Sequence, residues 1–252
     1  MPLHLIDFVA IIIFVTCWVG YTFFSKAKAK NTACISRCTQ QHRILWMRQI
    51  FDTEVRVAHA ALLANLERNV AFFASTTLFV LAGALALFSQ VEQIRGVLAS
   101  ITFTREPSVV AIQIKLCFLI GIFVMAFFQF TWSMRQYGFV NIMIGAAPYE
   151  PRTQKPHLLS YAKQMAVAQD QAAHAYNYGL RSYYFSLSLL SWFIDPLIFM
   201  SSSVFVVLVL YRREFKSKAL KALQKGIREL EKETSTTSRN EPFKVQKKKV
   251  VE

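Results

Sequence analysis

Four stretches of this chain run almost without charge: Leu5–Phe24, Val70–Phe88, Val109–Trp132 and Tyr183–Tyr211. Asp7, Lys115 and Asp195 are their only ionisable Asp, Glu, Lys or Arg side chains. A helix needs about 20 predominantly apolar residues to cross a bilayer, and each stretch is of that order. Inside a membrane every backbone N–H and C=O must find a partner within the protein, so only helices and closed barrels cross it. Barrel strands would show short segments of alternating polarity, and these runs do not alternate. The pattern predicts an all-α polytopic membrane protein with four transmembrane helices. A cleaved signal peptide carries positive charge before its apolar core. Here Lys26, Lys28 and Lys30 follow the core and no Lys or Arg precedes it, so the first run reads as an uncleaved anchor.

The segments between the runs keep a helical rhythm of their own. Ile44, Met47, Ile50-Phe51, Val55, Ala58, Leu62-Leu63 and Leu66 recur at roughly helical spacing and lead into the second span. Met134–Ala147 continues the third span until Pro148, and Pro151 and Pro156 then mark a turn. From His157 to Leu180 a further helical pattern leads into the fourth. Helices 2–4 are therefore expected to extend into a polar bundle on the cytoplasmic side.

Four crossings put residues 25–69 and 133–182 on one face of the membrane, and residues 89–108 and both termini on the other. Lys and Arg concentrate in cytoplasmic loops. The two long segments hold eight and five of them against two in 89–108. The expectation is a multi-pass protein of the cell inner (plasma) membrane with the long segments cytoplasmic and both termini outside. The tail pulls the other way, because residues 212–252 hold thirteen Lys/Arg and six acids.

Composition sharpens this picture in one respect. The chain is 54% hydrophobic yet carries a formal net charge of +14. Basic residues beside spans are attracted to anionic headgroups, by about 1 kcal/mol each near the surface, so the charge points to membrane lipids and not to nucleic acid. Beyond a membrane domain at 1–218, Leu220, Leu223, Ile227 and Leu230 recur among Lys218, Lys221, Lys225 and Arg228. That spacing makes the first part of 219–252 a basic amphipathic helix, which either lies on a membrane or is a solvated extension with no partner, and from Thr234 through Lys247–Lys249 a disordered tail follows.

Several motifs carry a resemblance. They are Trp46-Met47-Arg48 with Asp52 and Arg56, Asn65-Leu66-Glu67-Arg68-Asn69, and Phe72 to Thr77. Met134-Arg135-Gln136-Tyr137, Asn141, Gly145 to Pro148, Asn177 to Phe185, Trp192-Phe193 and Leu210 to Phe215 complete the set. Over roughly residues 8–218 the chain resembles the family catalogued as domain of unknown function 599, found in bacteria and plants. The resemblance implies an integral membrane protein and brings no activity with it. Asp195 and the Lys-rich tail lie outside the pattern.

Two constellations are candidates for function. The first is a polar layer at the cytoplasm-proximal helix ends: Arg48, Asp52 and Arg56, then Glu67, Arg68 and Asn69, then Arg135, Gln136 and Asn141, then Asn177 and Arg181. Asp52 and Arg56 are four apart and suit a helical ion pair. Arg68, Asn69, Arg135 and Arg181 are expected to converge, with Glu67 as counter-charge. The layer is either a cavity for a headgroup, anion or partner, or a network that fixes helix packing. The second candidate is Asp195 at mid-membrane with Ser75, Thr76 and Ser191, and with Ser188 and Ser202, as a proton or cation pocket or a packing feature. Lys115 lies shallow enough to snorkel. Small residues at Ala71, Ser75, Ala82 and Ala86 mark a packing stripe.

Other chemistry is thin. Cys34, Cys38 and His42 align at helical spacing, but a structural zinc site uses four ligands and spacing marks no fourth. His59 and His174 have no partner carboxylate marked by spacing, and no phosphate loop, HExxH or GxSxG is present. No enzyme, cofactor or metal is expected. The leading reading is a non-enzymatic binding or scaffold protein engaging lipid headgroups, a membrane partner or a second copy of itself. The alternative is a small transporter or channel using Asp195.

Overall fold

The computed structural model describes residues 4–100, 108–153 and 155–240, with side chains to Leu230 and at Lys232. Helix α1 (Leu5–Val15) passes through a π-helical turn, Thr16–Gly20, into α2 (Tyr21–Asn31). Then come α3 (Ile35–Asp52), α4 (Val57–Phe88), α5 (Val91–Ala99), α6 (Val109–Ala146), α7 (Pro156–Ser191), α8 (Pro196–Lys216) and α9 (Lys218–Asn240). Among the described residues there is no strand. Among the described residues four helical runs are long and apolar enough to cross a membrane: Leu5–Asn31, Val57–Phe88, Val109–Ala146 and Pro196–Leu230.

Local chemistry sets the boundaries. The amide of His4 donates to Asp7 Oδ2 (3.0 Å) at the start of α1. Ser108 Oγ accepts from the amide of Ala111 (3.1 Å) at the start of α6. Pro156 and Pro196 occupy first turns, where a missing N–H costs nothing and the fixed φ already suits a helix. The rhythm expected to run unbroken from Ile44 into the second span is cut at Thr53–Arg56, between α3 and α4.

The largest departure concerns Tyr183–Tyr211, expected to be one span. Trp192, Phe193 and Ile194 tighten the end of α7 with amide bonds to the carbonyls of Leu189, Leu190 and Ser191 (3.1, 3.2 and 3.1 Å). Asp195 is then extended (φ −154°, ψ 139°) and caps α8. Proline disfavours helical backbone in the residue before it, and here that bias becomes a full reversal. Helices α7 and α8 form a hairpin, held by Ser188–Ser203 and Ser191–Ser202 hydroxyl pairs (2.8 and 2.9 Å).

Contacts fix the directions of the other helices. Helix α7 runs antiparallel to α6 over its whole length, from Tyr161 Oη on the carbonyl of Met143 (3.2 Å) to Lys115 Nζ on the carbonyl of Trp192 (2.6 Å). Between these, Gly179 lies so close under Phe130 that an added Cβ would meet its Cε1 at 2.5 Å. Helix α1 runs parallel to α8, with Phe14 against Phe199 (centroids 5.0 Å). One end of the bundle, the tip, thus holds Asp7, Lys115, Trp192 and Asp195. The other, the base, holds α3 and the N-terminal halves of α4 and α7.

Each end has its own core. At the tip Ala10, Phe14, Phe185, Leu189, Trp192 and Phe199 are buried together. At the base Met47, Ile50 and Phe51 of α3 pack with Leu63, Val140, Ala162 and Met165. Helix α9 lies on α3, where Leu220 and Ile227 are 5% and 6% exposed and the carbonyl of Leu223 is 3.2 Å from His42 Nε2. The C-terminal helix α9 therefore shares an end with the long segments, whereas a single straight Tyr183–Tyr211 span would carry it to the other end. Its apolar stripe covers α3 instead of lying free. Helix α9 also continues through the Thr234–Ser238 run that the sequence assigns to a disordered tail, while Lys247–Lys249 lie outside the described residues. On α4 the stripe of Ser75, Ala82 and Ala86 is exposed, and Val70, Ala74, Thr77 and Ala84 face inward.

Candidate functional site

The residues expected in one polar layer do not gather. Asp52 ends α3 and Arg56 lies beyond it, so the two no longer share a helix face and form no ion pair. Asp52 Oδ1 accepts from the amide of Arg152 (2.5 Å), a residue with φ of 56°. Arg56 donates to the carbonyls of Ile50, Ile144 and Pro148 (3.4, 3.2 and 3.0 Å), tying the ends of α3 and α6 together. Glu67 takes Asn141 as partner (2.7 Å). Arg68 reaches Asn65 (3.3 Å), and Arg135 lies over Phe139 on the outer surface. Arg48 and Asn69 are exposed, and Gln136 Oε1 is buried with no hydrogen bond among the described residues. The expected convergence of Arg68, Asn69, Arg135 and Arg181 fails because Arg68 and Arg135 sit on outward faces of α4 and α6.

The mid-membrane pocket fails as well. Asp195 Oδ1 accepts from the amide of Leu197 (2.6 Å) at the hairpin tip. Thr76 bonds the carbonyl of Phe72 (2.8 Å), Ser75 is exposed, and neighbouring Thr77 is level with Tyr183 (2.8 Å). From Tyr183 to Asp195 is roughly 18 Å at 1.5 Å per residue. Ser191 pairs with Ser202, and Lys115 is engaged by the carbonyl and ring of Trp192. At the same end, buried Asp7 accepts from Trp192 Nε1 (2.8 Å). These contacts clamp α1, α6 and the α7–α8 turn.

Asn177 and Arg181 have a different setting. On α7 they continue a stripe with Asp170 and His174, at steps of three and four that place all of them on one helix face. The stripe faces a groove at the base, built from two adjoining lobes of about 380 and 350 Å³. Its walls are the end of α2 (Lys26, Lys30), the start of α3 (Ser36, Arg37, Gln40, Arg43) and the end of α8 (Arg213, Glu214). Cavities of this size hold small-molecule ligands.

Both acids of the groove are committed. Asp170 Oδ1 is 2.5 Å from Arg43 Nη1, and its Oδ2 is 3.2 Å from His174 Nε2. Glu214 Oε1 accepts from the amide of Ser36 (3.2 Å), where a carboxylate suits the positive end of the α3 dipole. The cations are not matched in this way. Among the described residues Lys26, Lys30, Arg37, Arg181 and Arg213 form no ion pair. Arg181 instead lies over the rings of Tyr21 and Tyr178 (5.2 and 5.5 Å), and Arg213 bonds the Tyr184 hydroxyl. The groove is electropositive, with two aromatic-held guanidinium groups in its wall.

Cys34 borders the groove as the cap of α3, its sulfur accepting from the amide of Arg37 (3.5 Å). Burial pushes the Cys34 thiol above its ordinary value, and that of Cys38 too, so neither is poised as a thiolate nucleophile. His42 is used on Leu223, and among the described residues no three His, Cys, Asp or Glu side chains could hold a metal. His59 accepts from Trp46 Nε1 (2.8 Å). His174 does have a carboxylate, Asp170, four residues earlier on the same helix. The spacing of Asp170, His174, Asn177 and Arg181 was enough to mark this face, whereas nothing local joins it to Arg43 or Glu214.

A bundle of membrane-length helices with a basic, ligand-sized groove where the helices leave their apolar stretch defines a polytopic helical membrane protein. The chain belongs to the DUF599 family, described as a protein of unknown function, whose model matches residues 9–219. The match stops at the start of α9. No curated protein and no solved structure matches the chain.

Proposed function

We propose that this is a non-enzymatic protein of the plasma (inner) membrane whose basal groove holds the headgroup of an anionic lipid. The observation that carries this reading is the imbalance of the groove: five cations without a carboxylate, and two acids already engaged. In this reading the C-terminal turns of α7, uncharged from Ser182 to Ser191, make a fifth pass beside the four longer runs. Five passes put α9 on the same side as α3. Among the described residues every Lys and Arg except Arg95 and Lys115 then lies at the base, and the positive-inside rule makes that side cytoplasmic and the N-terminus external. The basic tail no longer objects to this orientation.

The test is lipid retention. Purified protein is exposed to mixed phosphatidylglycerol and phosphatidylcholine, and bound lipid is read by native mass spectrometry. The anionic lipid should be retained preferentially. The double variant Arg37→Gln/Arg181→Gln should lose about 2 kcal/mol of that preference, at about 1 kcal/mol per surface cation, or roughly 30-fold. Equal retention of both lipids by the unaltered protein would remove the reading.

A further inference from the structure

The groove does not end at its polar walls. Tyr184 and Leu210, which line its second lobe, also line a cleft of about 270 Å³ between α7 and α8. Leu187, Phe205, Val206 and Val209 line it too, with Ser188 and Ser202 at its tip end, and its surface is almost wholly apolar. Its origin lies in the hairpin. The serine pairs draw α7 and α8 together towards the tip, and Arg213 on the Tyr184 hydroxyl ties them at the base. Between these ties Leu187 and Phe205 turn outward, each 64% exposed. The cleft runs from Leu210 to Ser202, about 12 Å along α8 at 1.5 Å per residue.

We propose that groove and cleft form one site for a single anionic glycerophospholipid, with its phosphodiester at Arg181 and Arg213, its hydroxyl-bearing head in the groove and one acyl chain between α7 and α8. This rests on the headgroup reading above and adds the class of lipid and the seat of its chain. Continuity is the first argument, since Tyr184 belongs to both spaces and its hydroxyl holds Arg213 at their junction. The uncharged polar lining is the second. Ser36, Gln40 and Asn177 offer donors and acceptors to the hydroxyls of a polyol head. An apolar chain in the cleft would cover the splayed faces of Leu187 and Val209.

The experiment presents the full-length protein in detergent with equimolar dioleoyl-phosphatidylglycerol, dioleoyl-phosphatidic acid and dioleoyl-phosphatidylcholine, again read by native mass spectrometry. Phosphatidylglycerol should exceed each of the others at least tenfold. Leu187→Trp and Val209→Trp, which fill the cleft from its rim, should each cut its retention about tenfold, as should Arg181→Gln. If Arg181→Gln loses the lipid while both tryptophan variants keep it, the chain seat is wrong and the headgroup reading stands. If Arg181→Gln keeps it, the headgroup reading falls as well. Equal retention of phosphatidic acid overturns the choice of a diester with hydroxyls. A phosphatidylglycerol with a diazirine in its acyl chain, used on the unaltered protein, removes dependence on the folding of any variant. It should label the Leu187 and Val209 peptides, suppressed by excess phosphatidylglycerol but not by phosphatidylcholine, and equal labelling of the exposed face of α4 around Phe79 would overturn the proposal.

Discussion

The Arg43–Asp170 ion pair ties α3 to α7, and its coupling energy can be worked out. The charged atoms are 2.5 Å apart, with the Arg43 and Asp170 side chains 19% and 10% exposed. Two unit charges whose centres lie about 4 Å apart attract by about 4 kcal/mol at the effective dielectric constant of about 20 that suits sites near a protein surface. Desolvation of both groups and residual water at Arg43 remove part of this, leaving a net coupling of about 2 kcal/mol. The perturbation is a double-mutant cycle of Arg43→Met and Asp170→Asn. Arg43→Met should be the worse single change, about 2–3 kcal/mol, because it strands a buried carboxylate with only His174 beside it (3.2 Å). Unfolding in mixed micelles at pH 7, followed by denaturing detergent, supplies the four free energies. In a thermal version each kcal/mol is worth about 2–4 °C for a chain of this size. A coupling energy below about 0.5 kcal/mol would refute the argument, since it would mean that the pair adds no more than an exposed surface contact.

Three further outcomes are expected. Asp195→Ala removes a helix cap and should destabilise by about 1 kcal/mol, whereas Asp195→Asn and Asp195→Ser keep a capping oxygen and should stay near the unaltered protein; a larger loss for Asn than for Ala would restore a role for the charge itself. In intact cells a membrane-impermeant maleimide should label Ser89→Cys and miss Lys225→Cys, whereas four crossings would put both positions on one side. The raised thiol values of Cys34 and Cys38 leave less thiolate in the folded state, so a water-soluble alkylating reagent at pH 8 should modify them slowly until the protein is unfolded. The same shift contributes stability that is complete below the ordinary thiol value and fades as pH rises through the raised one; alkylation as fast as in the unfolded chain would contradict the burial.

What the sequence made legible was decided by range. Apolar length and charge placement are local properties, and they identified the membrane-length helices and the bundle beneath them. The Asp195-Pro196 pair was legible too, but as a charge at mid-membrane. Its backbone consequence was the decisive one, because the flanking residues are as apolar as a single span and only the helix break separates one straight helix from a hairpin. The same blindness to tertiary partners hid the groove. Asp52 and Arg56 have the spacing of an ion pair, yet the end of α3 falls between them. Arg43 and Asp170 lie far apart in sequence and have no spacing at all. Arg181 was expected to converge with Arg68, Asn69 and Arg135, and of these four it is the one that lines the basal groove.

The turn at Asp195-Pro196 also decides which end of the bundle the basic residues of α8 and α9 occupy. Were Tyr183–Tyr211 a single span, α9 and the basic residues beyond Arg212 would lie across the bundle from Lys26, Arg37 and Arg43. Because the chain turns at Asp195, Arg213 and Glu214 instead return to the base. There Glu214 meets the amide of Ser36 and Arg213 the hydroxyl of Tyr184. The groove therefore has its α8 wall only as a consequence of the hairpin, and so does the apolar cleft that adjoins it. A change that straightened the turn would abolish both spaces together and strand α9 away from its seat on α3. The loss of lipid retention, of the Arg213–Tyr184 tie and of Cys38 protection should accordingly appear in the same variants.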